Sequence, residues 1–297
     1  MCGKPDSASN QPWLGGRDLD FLLHVADQLG LRSLLIGLMI FVPLERLFAL
    51  REQQKILRKG VFTDLIYAIF NGTAVDILAG MLLAPVIGAL AVLMPPSLPS
   101  AVSSQATWLQ VLEIIVLTDL GVYAAHRAFH AIPVLWRFHS IHHSVEEMDW
   151  LAAFHSHPVD QMLTKAVALL PVFFLGFSGA SIGIYFVIYA AHAMFIHANV
   201  KINFGPLKWL IASPQFHHWH HAGERAAYDK NFAGQLAIID LIFGTFRVPG
   251  ATTPAKYGVD DPIPANYFGQ IGYPFLPRKG HDLGKAVVGT VKPASEA

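Results

Sequence analysis

Three short clusters of histidines restrict how this chain can fold more than any other feature of its sequence. They read His126-Arg-Ala-Phe-His130, His139-Ser-Ile-His142-His143 and His217-His-Trp-His220-His221. Residues three and four positions apart lie on the same side of an α-helix. Each cluster therefore predicts a helix that presents several imidazoles on one face, which is the arrangement that a metal site needs.

The composition indicates a membrane protein. Of the 297 residues, 53% are hydrophobic and only 14% are charged, whereas about a quarter of the residues in ordinary soluble domains are charged. The formal net charge of zero argues against a nucleic-acid partner. Because Cys2 is the only cysteine, a metal in this chain must be held by His, Asp or Glu.

Long apolar runs predict the membrane segments. Residues 31–47 form the first expected span, and the basic loop that follows, residues 51–59, belongs in the cytoplasm by the positive-inside rule. Residues 65–94 carry one charge, at Asp76, and predict either a tilted or kinked span or a hairpin. Residues 108–125 then return the chain to the cytoplasmic side, where the first histidine cluster begins.

The third cluster can meet the first two only if the chain leaves and re-enters on the same side of the membrane. We therefore predict a helical hairpin over residues 159–197, with Pro158 in its first turn and its bend at Gly176–Gly179. Each leg has about 18 residues and spans about 27 Å as a helix, which is nearly a full hydrocarbon core. Ser213 and Pro214 predict a helix start directly before the third cluster.

The predicted fold is all-α: an integral membrane helical bundle of about four to six membrane segments, including the hairpin, with a cytoplasmic His-rich helical cap. Residues 1–30 are expected to form a leader and an interfacial helix, and residues 31–107 the N-terminal membrane helices. Residues 108–249 carry the histidine clusters, and residues 250–297 are expected to be an irregular C-terminal tail.

The histidines predict two metal ions. Neutral imidazole is a common ligand of iron, zinc and copper, and eight histidines at helical spacing exceed the four ligands of one structural zinc. His218 lies off the shared face of its helix, so it is not predicted to be a metal ligand. His197 ends the returning leg of the hairpin and is predicted to be one. The predicted ligands are His126, His130, His139, His142, His143, His197, His217, His220 and His221.

Other polar residues near the clusters are weaker candidates. His192 lies deeper in the hairpin, and His157 precedes a helix start, where a helix cap or a place near the substrate competes with metal ligation. No role is expected for His24 or His281. The acidic residues after the second cluster predict a solvated loop rather than ligands; they are Glu146, Glu147 and Asp149.

A carboxylate lies on the histidine-bearing face of the helix that carries the first cluster. Asp119 precedes Tyr123, His126 and His130 at steps of four, three and four residues. A charged group in an apolar span is costly unless it is paired or functional. Asp119 could accept a hydrogen bond from a ligand imidazole and fix its tautomer, or it could hydrogen-bond a neighbouring helix.

These residues resemble the fatty acid hydroxylase and sterol desaturase superfamily of integral-membrane di-iron enzymes. The resemblance covers roughly residues 108–246 and includes the three clusters in this order. Ala233, Ile239 and His155 depart from the residues that many members carry, so the subfamily and the substrate stay open. The further matching motifs are Asp119, His157-Pro158, His197-Ala-Asn199, Ser213-Pro214, Asp229-Lys-Asn231-Phe and Asp240-x-x-Phe243-Gly244-Thr245.

The resemblance implies two iron ions, for which zinc could substitute, that use O2 and electrons from a separate donor. It implies hydroxylation or desaturation of a lipid, such as a sterol or a fatty acyl chain. The electron donor would be a ferredoxin or a b-type cytochrome with its reductase. Asp119 and Asn231 would support the ligands from behind, and the clusters would face the cytoplasm from a bacterial inner membrane or the endoplasmic reticulum.

Two other functions are compatible with the sequence. One is a His-ligated zinc hydrolase, although the sequence has no His-Glu-x-x-His motif. The other is a divalent-metal transporter, which is expected to place its ligands at the middle of the bilayer in repeat-related helices rather than at one membrane face.

Overall fold

The computed structural model describes residues 34–277, except residues 93, 96 and 251. The predicted leader and interfacial helix, with Cys2 and His24, and also His281, lie outside the described residues. The described part is helical, and its only extended pairings are two isolated bridges, one between Ala49 and Val200 and one between Ala222 and Tyr257.

The helices of the described part follow one another as short and long segments. In chain order they are α1 (34–47), α2 (Val61–Ala91), α3 (Ser97–Ser103), α4 (Thr107–Ala131), α5 (Pro133–His143), α6 (Pro158–Leu175), α7 (Gly179–His197), α8 (Pro214–His220), α9 (Ala237–Ile242) and α10 (Tyr267–Gly272). Four 3-10 turns lie at Trp150–Phe154, Gly205–Trp209, Arg225–Ala227 and Tyr273–Phe275.

Four of these helices, α2, α4, α6 and α7, are long and apolar enough to cross a membrane. The predicted all-α membrane bundle is therefore confirmed, together with a histidine-rich helical region. The run that predicted either one kinked span or a hairpin is the single helix α2, with Pro85 inside it, so the hairpin alternative was wrong. A proline can be accommodated in a membrane helix when neighbouring groups satisfy the freed backbone.

The hairpin over residues 159–197 consists of α6 and α7, and local chemistry explains its ends. His157 caps α6 by accepting a hydrogen bond at Nδ1 from the Val159 amide at 3.1 Å. Gly176 ends the helix in the left-handed region, with φ of 76°. Ser178 then caps α7 by accepting the Ser181 amide at 3.3 Å. Each leg is therefore bounded by residues suited to a helix end.

The basic loop after α1 packs at the histidine end of the bundle. The Leu50 amide donates to the carbonyl of Asn199, two residues after His197, at 3.1 Å. Arg58 is buried and bridges Asp64 and Asp149, with nitrogen–oxygen distances of 2.6 Å to each. The expectation that Asp149 belongs to a solvated loop was therefore wrong, because an arginine 91 residues away neutralises it.

The described part of the C-terminal tail is not wholly irregular, since it contains α10 and the turn Tyr273–Phe275. Asn266 caps α10 by accepting the Gly269 amide at 2.9 Å. The carbonyl of Ile271 accepts a hydrogen bond from His157 Nε2 at 3.2 Å. This segment thus packs beside the start of α6.

Candidate metal centre

Four helices present the clustered histidines. The first cluster lies in the last two turns of α4, and the second lies at the end of α5, which Pro133 starts. His197 is the last residue of α7. The third cluster lies on and just after α8, where Ser213 Oγ accepts the Phe216 amide at 3.1 Å and Pro214 follows in the first turn. The predicted helix start before this cluster is confirmed.

All nine histidines predicted as ligands fall into two groups. Within each group, one ring nitrogen per histidine lies within 4.8 Å of those of all the others. The five-histidine group consists of His126, His130, His139, His143 and His220, and the four-histidine group consists of His142, His197, His217 and His221. The second and third clusters each contribute to both groups, so the two groups are neighbours. Ligation by these residues stays a prediction.

The Nε2 atoms converge in both groups. In the five-histidine group, His139 Nε2 lies 3.0 Å from that of His126 and 3.2 Å from that of His143. In the four-histidine group, His217 Nε2 lies 2.9 Å from that of His197 and 3.1 Å from that of His221. Hydrogen bonds to backbone carbonyls or carboxylates hold several of the opposite Nδ1 atoms. These hydrogen bonds determine whether the converging Nε2 atoms carry a proton.

Backbone carbonyls fix the tautomer of four of these imidazoles. A carbonyl oxygen only accepts, so an Nδ1 beside one carries the proton and the Nε2 of that neutral ring presents a lone pair. The four Nδ1-to-carbonyl pairs are His126 with Phe232 at 2.7 Å, His142 with His155 at 2.9 Å, His197 with Ala193 at 2.7 Å and His220 with Lys230 at 2.8 Å.

A cation would satisfy lone pairs that converge without protons between them. Metal–nitrogen bonds of about 2.0–2.1 Å at angles of about 90° to 109° put neighbouring nitrogens about 3.0–3.4 Å apart, close to the observed Nε2 separations. The Nε2 of His220 is buried and has no hydrogen-bond partner, as a free ligand atom would be. The donor set consists of imidazoles, which suit iron, zinc, copper and nickel. The residues therefore fit one metal ion in each group.

Two carboxylates contact histidines that are predicted ligands, and neither contact was predicted. His139 Nδ1 lies 2.7 Å from Asp160 Oδ2, and both residues are buried. His130 Nδ1 lies 3.3 Å from the exposed carboxylate of Asp229. Such carboxylate partners orient the imidazole and raise its basicity toward a metal. The sequence signal for Asp160 was only its place in the first turn after Pro158.

Asp119 has a different role from the one proposed for it beside the histidines. Its carboxylate accepts the backbone N–H groups of Gly234, Gln235 and Leu236, at 2.7, 3.0 and 2.6 Å, rather than an imidazole. The other prediction was that Asp119 hydrogen-bonds a neighbouring helix. The partner is instead the backbone segment that leads into α9. Asp119 therefore supports the site at a distance, by holding a loop.

Asn231 supports the five-histidine group through the backbone. It lies in the left-handed region, with φ of 61°, and its side chain donates to the carbonyls of Phe216 and Arg247 at 2.8 Å each. The residues on either side supply carbonyls that hold predicted ligands: Lys230 for His220 and Phe232 for His126. Asn231 is thus a positioning residue that contacts no ligand histidine in its hydrogen bonds.

The remaining histidine candidates lie outside both groups. His192 Nε2 donates to the Ala212 carbonyl at 2.8 Å, and His157 caps α6. His218, which the helical face excludes, contacts the Tyr257 hydroxyl through Nδ1 at 2.8 Å and the His197 carbonyl through Nε2 at 3.3 Å. Glu146 pairs with Lys59 on the surface.

Burial keeps the histidines of the two groups neutral, which is the form that binds metal. Removal from water lowers the pKa of His142 to about 3, mainly because the charged form is desolvated. The same cause lowers the pKa of five others well below the ordinary value: His139, His143, His217, His220 and His221. These rings are therefore neutral at physiological pH, with a lone pair available.

Comparison with known proteins agrees with this geometry. Residues 111–245 match the family model described as fatty acid hydroxylase. The chain is 31% identical over 183 residues to the ornithine lipid hydroxylase OlsE of Rhizobium tropici, a match that covers 61% of this chain and 53% of the relative. It is 33% identical over 152 residues to human alkylglycerol monooxygenase, covering 49% of this chain and 32% of the relative.

A more distant relative is the very-long-chain aldehyde decarbonylase GL1-1 of Oryza sativa subsp. indica, 29% identical over 142 residues, with 44% of this chain and 22% of the relative covered. The chain thus spans about half the length of the rhizobial relative and about a third of the human one. No solved structure matches the chain.

The fold and the site define a helical membrane protein with clustered histidines that could hold metal. The resemblance seen in the sequence is confirmed: residues 111–245 match the fatty acid hydroxylase family model, and the relatives are consistent with the fatty acid hydroxylase and sterol desaturase superfamily.

Proposed function

We propose that this protein is a membrane-bound di-iron oxygenase that hydroxylates a lipid. The observation that carries the proposal is the convergence of nine imidazoles on two adjacent points. The rhizobial and human relatives are named as a lipid hydroxylase and a monooxygenase, which supports lipid oxidation as the reaction class.

Two iron ions bound there would supply the activation of O2 needed to oxidise an unactivated C–H bond. Hydroxylation consumes one O2, two electrons and two protons, and yields the alcohol and one water. Desaturation consumes the same reagents but removes two hydrogens from the lipid and yields two waters. The names of the relatives favour hydroxylation, because two are named for adding oxygen.

The protein's own residues prepare the site for such a reaction. The carbonyls and Asp160 keep protons on the outer ring nitrogens, so the inner nitrogens remain ligands. Burial excludes water from the ligand rings, which protects an oxidising site from unintended reactions. The spans α4 and α7 end at the site, so a lipid chain can approach from the bilayer.

The side of the membrane is part of the proposal. The loop after α1 packs against Asn199 at the histidine end, and it carries exposed basic residues such as Lys59. By the positive-inside rule, this end faces the cytoplasm, in a bacterial inner membrane or the endoplasmic reticulum. A separate donor there, a ferredoxin or a b-type cytochrome with its reductase, would supply the two electrons.

Expression in a lipid-competent host, followed by lipid mass spectrometry, tests the proposal. The intact protein is compared with His142→Ala under air and under nitrogen. A gain of one oxygen that needs air and intact His142 supports hydroxylation, whereas a loss of two hydrogens indicates desaturation. Turnover that persists without O2 would overturn the oxygenase proposal.

Metal analysis of the purified protein separates the alternatives. Two iron ions per chain support the proposal. Zinc alone, with O2-independent cleavage of a substrate, would instead indicate a hydrolase. Metal uptake into vesicles without any lipid product would indicate a transporter.

A further inference from the structure

Two segments outside the four spans pair with each other and share an exposed apolar side. The Ala212 amide donates to the Gln235 carbonyl at 2.8 Å, and the Ile238 amide donates to the Leu210 carbonyl at 3.4 Å. These bonds join residues 205–212, which include a 3-10 turn, to residues 234–243, which include α9. The exposed apolar side chains of this pair, referred to together as its apolar face, are Leu207, Trp209, Leu210, Leu241, Ile242 and Phe243.

The paired segments lie deeper along the spans than the metal ligands. Asp119, which holds residues 234–236, precedes His126 by seven residues, or about 10 Å along α4. His192, which donates to Ala212, precedes His197 by five residues, or about 7.5 Å along α7. Both contacts place the pair beside α4 and α7. The pair therefore lies between the level of the clustered histidines and the opposite end of the bundle.

The length of α4 indicates how far the hydrocarbon extends. Trp108, which is 67% exposed, and Arg127 lie near the two ends of this helix. They are 19 residues apart, or about 28 Å as a helix, close to the core thickness of about 30 Å. Tryptophan and arginine are typical of the two interfaces. Asp119 lies between these two residues, and so does the backbone that it holds.

The non-helical backbone of the pair has the hydrogen-bond partners that a membrane environment requires. Non-helical backbone is tolerated at membrane depth only where its polar groups have partners within the protein. Asp119 accepts the amides of residues 234–236, and Asp240 accepts those of Phe232 and Ala233 at 2.8 and 2.7 Å. Two buried carboxylates thus serve five consecutive N–H groups outside a helix.

The apolar face continues the lipid-facing surface of the spans. Phe243 stacks on Tyr123 of α4, with ring centroids 5.0 Å apart, and Leu120 one turn away is also exposed. Lys208 Nζ lies 5.0 Å from the centroid of the Trp209 ring, which places a cation beside an aromatic ring, as is common at membrane interfaces.

We infer that residues 205–212 and 234–243 form a re-entrant element that is embedded in the bilayer, with its exposed apolar face in contact with lipid. The element continues directly into residues 229–232, which hold three ligands of the five-histidine group. Insertion of the element therefore fixes the depth of that group relative to the membrane.

Depth-dependent fluorescence quenching of the full chain tests this inference. Cys2 is the only cysteine, so a Cys2→Ser background allows one probe at a time. Ile242→Cys is labelled with an environment-sensitive fluorophore in phosphatidylcholine vesicles, and quenching by doxyl-labelled phosphatidylcholine is compared with quenching by iodide. Val187→Cys on α7, at a position 56% exposed, is the lipid-facing reference, and Asp260→Cys, at a side chain 92% exposed, is the aqueous reference.

We expect the probe at residue 242 to behave like that at residue 187, with blue-shifted emission, strong quenching by doxyl lipid and weak quenching by iodide. A probe at residue 242 that matches residue 260 would overturn the inference. Leu210→Cys repeats the measurement on the other segment, so the result does not depend on one variant. If residue 210 is lipid-quenched but residue 242 is not, the paired re-entrant element is also wrong.

Discussion

Asp160 Oδ2 lies 2.7 Å from His139 Nδ1 and joins the start of α6 to the end of α5 beneath the five-histidine group. The same oxygen accepts from Ser156 Oγ at 3.1 Å, and Asp160 Oδ1 accepts from Thr164 Oγ1 at 3.3 Å. Ser156 and Thr164 thus hold the carboxylate in place independently of His139. We expect this contact between Asp160 and His139 to keep the His139 proton on Nδ1 and to leave Nε2 free for a metal.

Replacing this carboxylate should weaken metal binding more than it weakens the fold. Asp160→Asn keeps the shape but removes the charge that supports the imidazole, and loss of such a partner typically costs about 10–100-fold in metal affinity. We expect a lower metal content after competition with a chelator. Asp76→Asn is the matched control, because Asp76 is a span carboxylate that pairs with Lys165 and holds no ligand. Equal metal loss in both variants would contradict the role given to Asp160.

Asn231 allows the backbone and side-chain contributions to be separated. Asn231→Ala loses hydrogen bonds to Phe216 and Arg247, and it must hold φ near 61° without the tolerance of asparagine, at a cost of about 1–2 kcal/mol. Asn231→Gly relieves the backbone strain but still lacks the side chain. We expect the alanine variant to lose metal from the five-histidine group first, so that the metal stoichiometry falls from two toward one.

The glycine variant should lie between the wild type and the alanine variant in metal content. If glycine restores full content, the backbone conformation alone matters. If neither variant loses metal, the carbonyls of Lys230 and Phe232 do not depend on Asn231, and the positioning role is wrong.

Neighbouring histidines on α8 should respond in opposite ways to substitution. His220 presents Nε2 to the five-histidine group, whereas His218 contacts Tyr257 and the His197 carbonyl. We expect His126→Ala, His142→Ala and His220→Ala to abolish turnover, and His218→Ala largely to spare it. Activity and metal content should be measured on the same preparations. Equal loss at His218 would show that the helical-face argument is wrong.

The sequence could predict which histidines meet, because helical spacing determines the face on which each ring lies, and the parity of membrane crossings determines the end of the bundle. It could not predict which carboxylates support them. Asp160 reaches His139 across 21 residues of chain, and Asp149 reaches Arg58 across 91. Such contacts depend on how helices pack, which periodicity does not specify. For Asp119, the prediction gave the correct face of α4. It did not foresee that residues 234–236 pack against that face.

Acid should destabilise the metal-free protein. Burial lowers the pKa of His218 from 6.5 to about 4, so between these values the unfolded chain binds a proton that the folded chain does not. The stability from this residue is therefore complete above pH 6.5 and is lost as the pH falls toward 4. Thermal unfolding midpoints of the chelator-treated protein, measured from pH 8 to mildly acidic pH, should fall accordingly.

His218→Gln removes one titrating group and should flatten that pH profile by up to about 1.4 kcal/mol per pH unit. Glutamine retains a donor and an acceptor for Tyr257 and the His197 carbonyl. An unchanged profile in this variant would mean that His218 does not contribute to acid sensitivity.

Adjacent basic residues in the loop before α2 should differ sharply in their effect on stability. Arg58 is buried between Asp64 and Asp149, and Asp149 caps the turn that leads to His155, whose carbonyl holds His142. Arg58→Met leaves two buried carboxylates without their cation, a loss that typically costs about 3–5 kcal/mol. We expect a large drop in the thermal unfolding midpoint and loss of metal from the four-histidine group.

Lys59→Met is the matched control for this change. Lys59 pairs with Glu146 at 3.0 Å, but both side chains are mostly exposed, so its removal should cost only about 0–1 kcal/mol. Arg58→Lys is expected to resemble Arg58→Met more than the wild type, because one ammonium cannot reproduce the two bonds of the guanidinium to Asp149 while also reaching Asp64. Similar unfolding midpoints for Arg58→Met and Lys59→Met would show that the buried arginine is not the anchor of this side of the site.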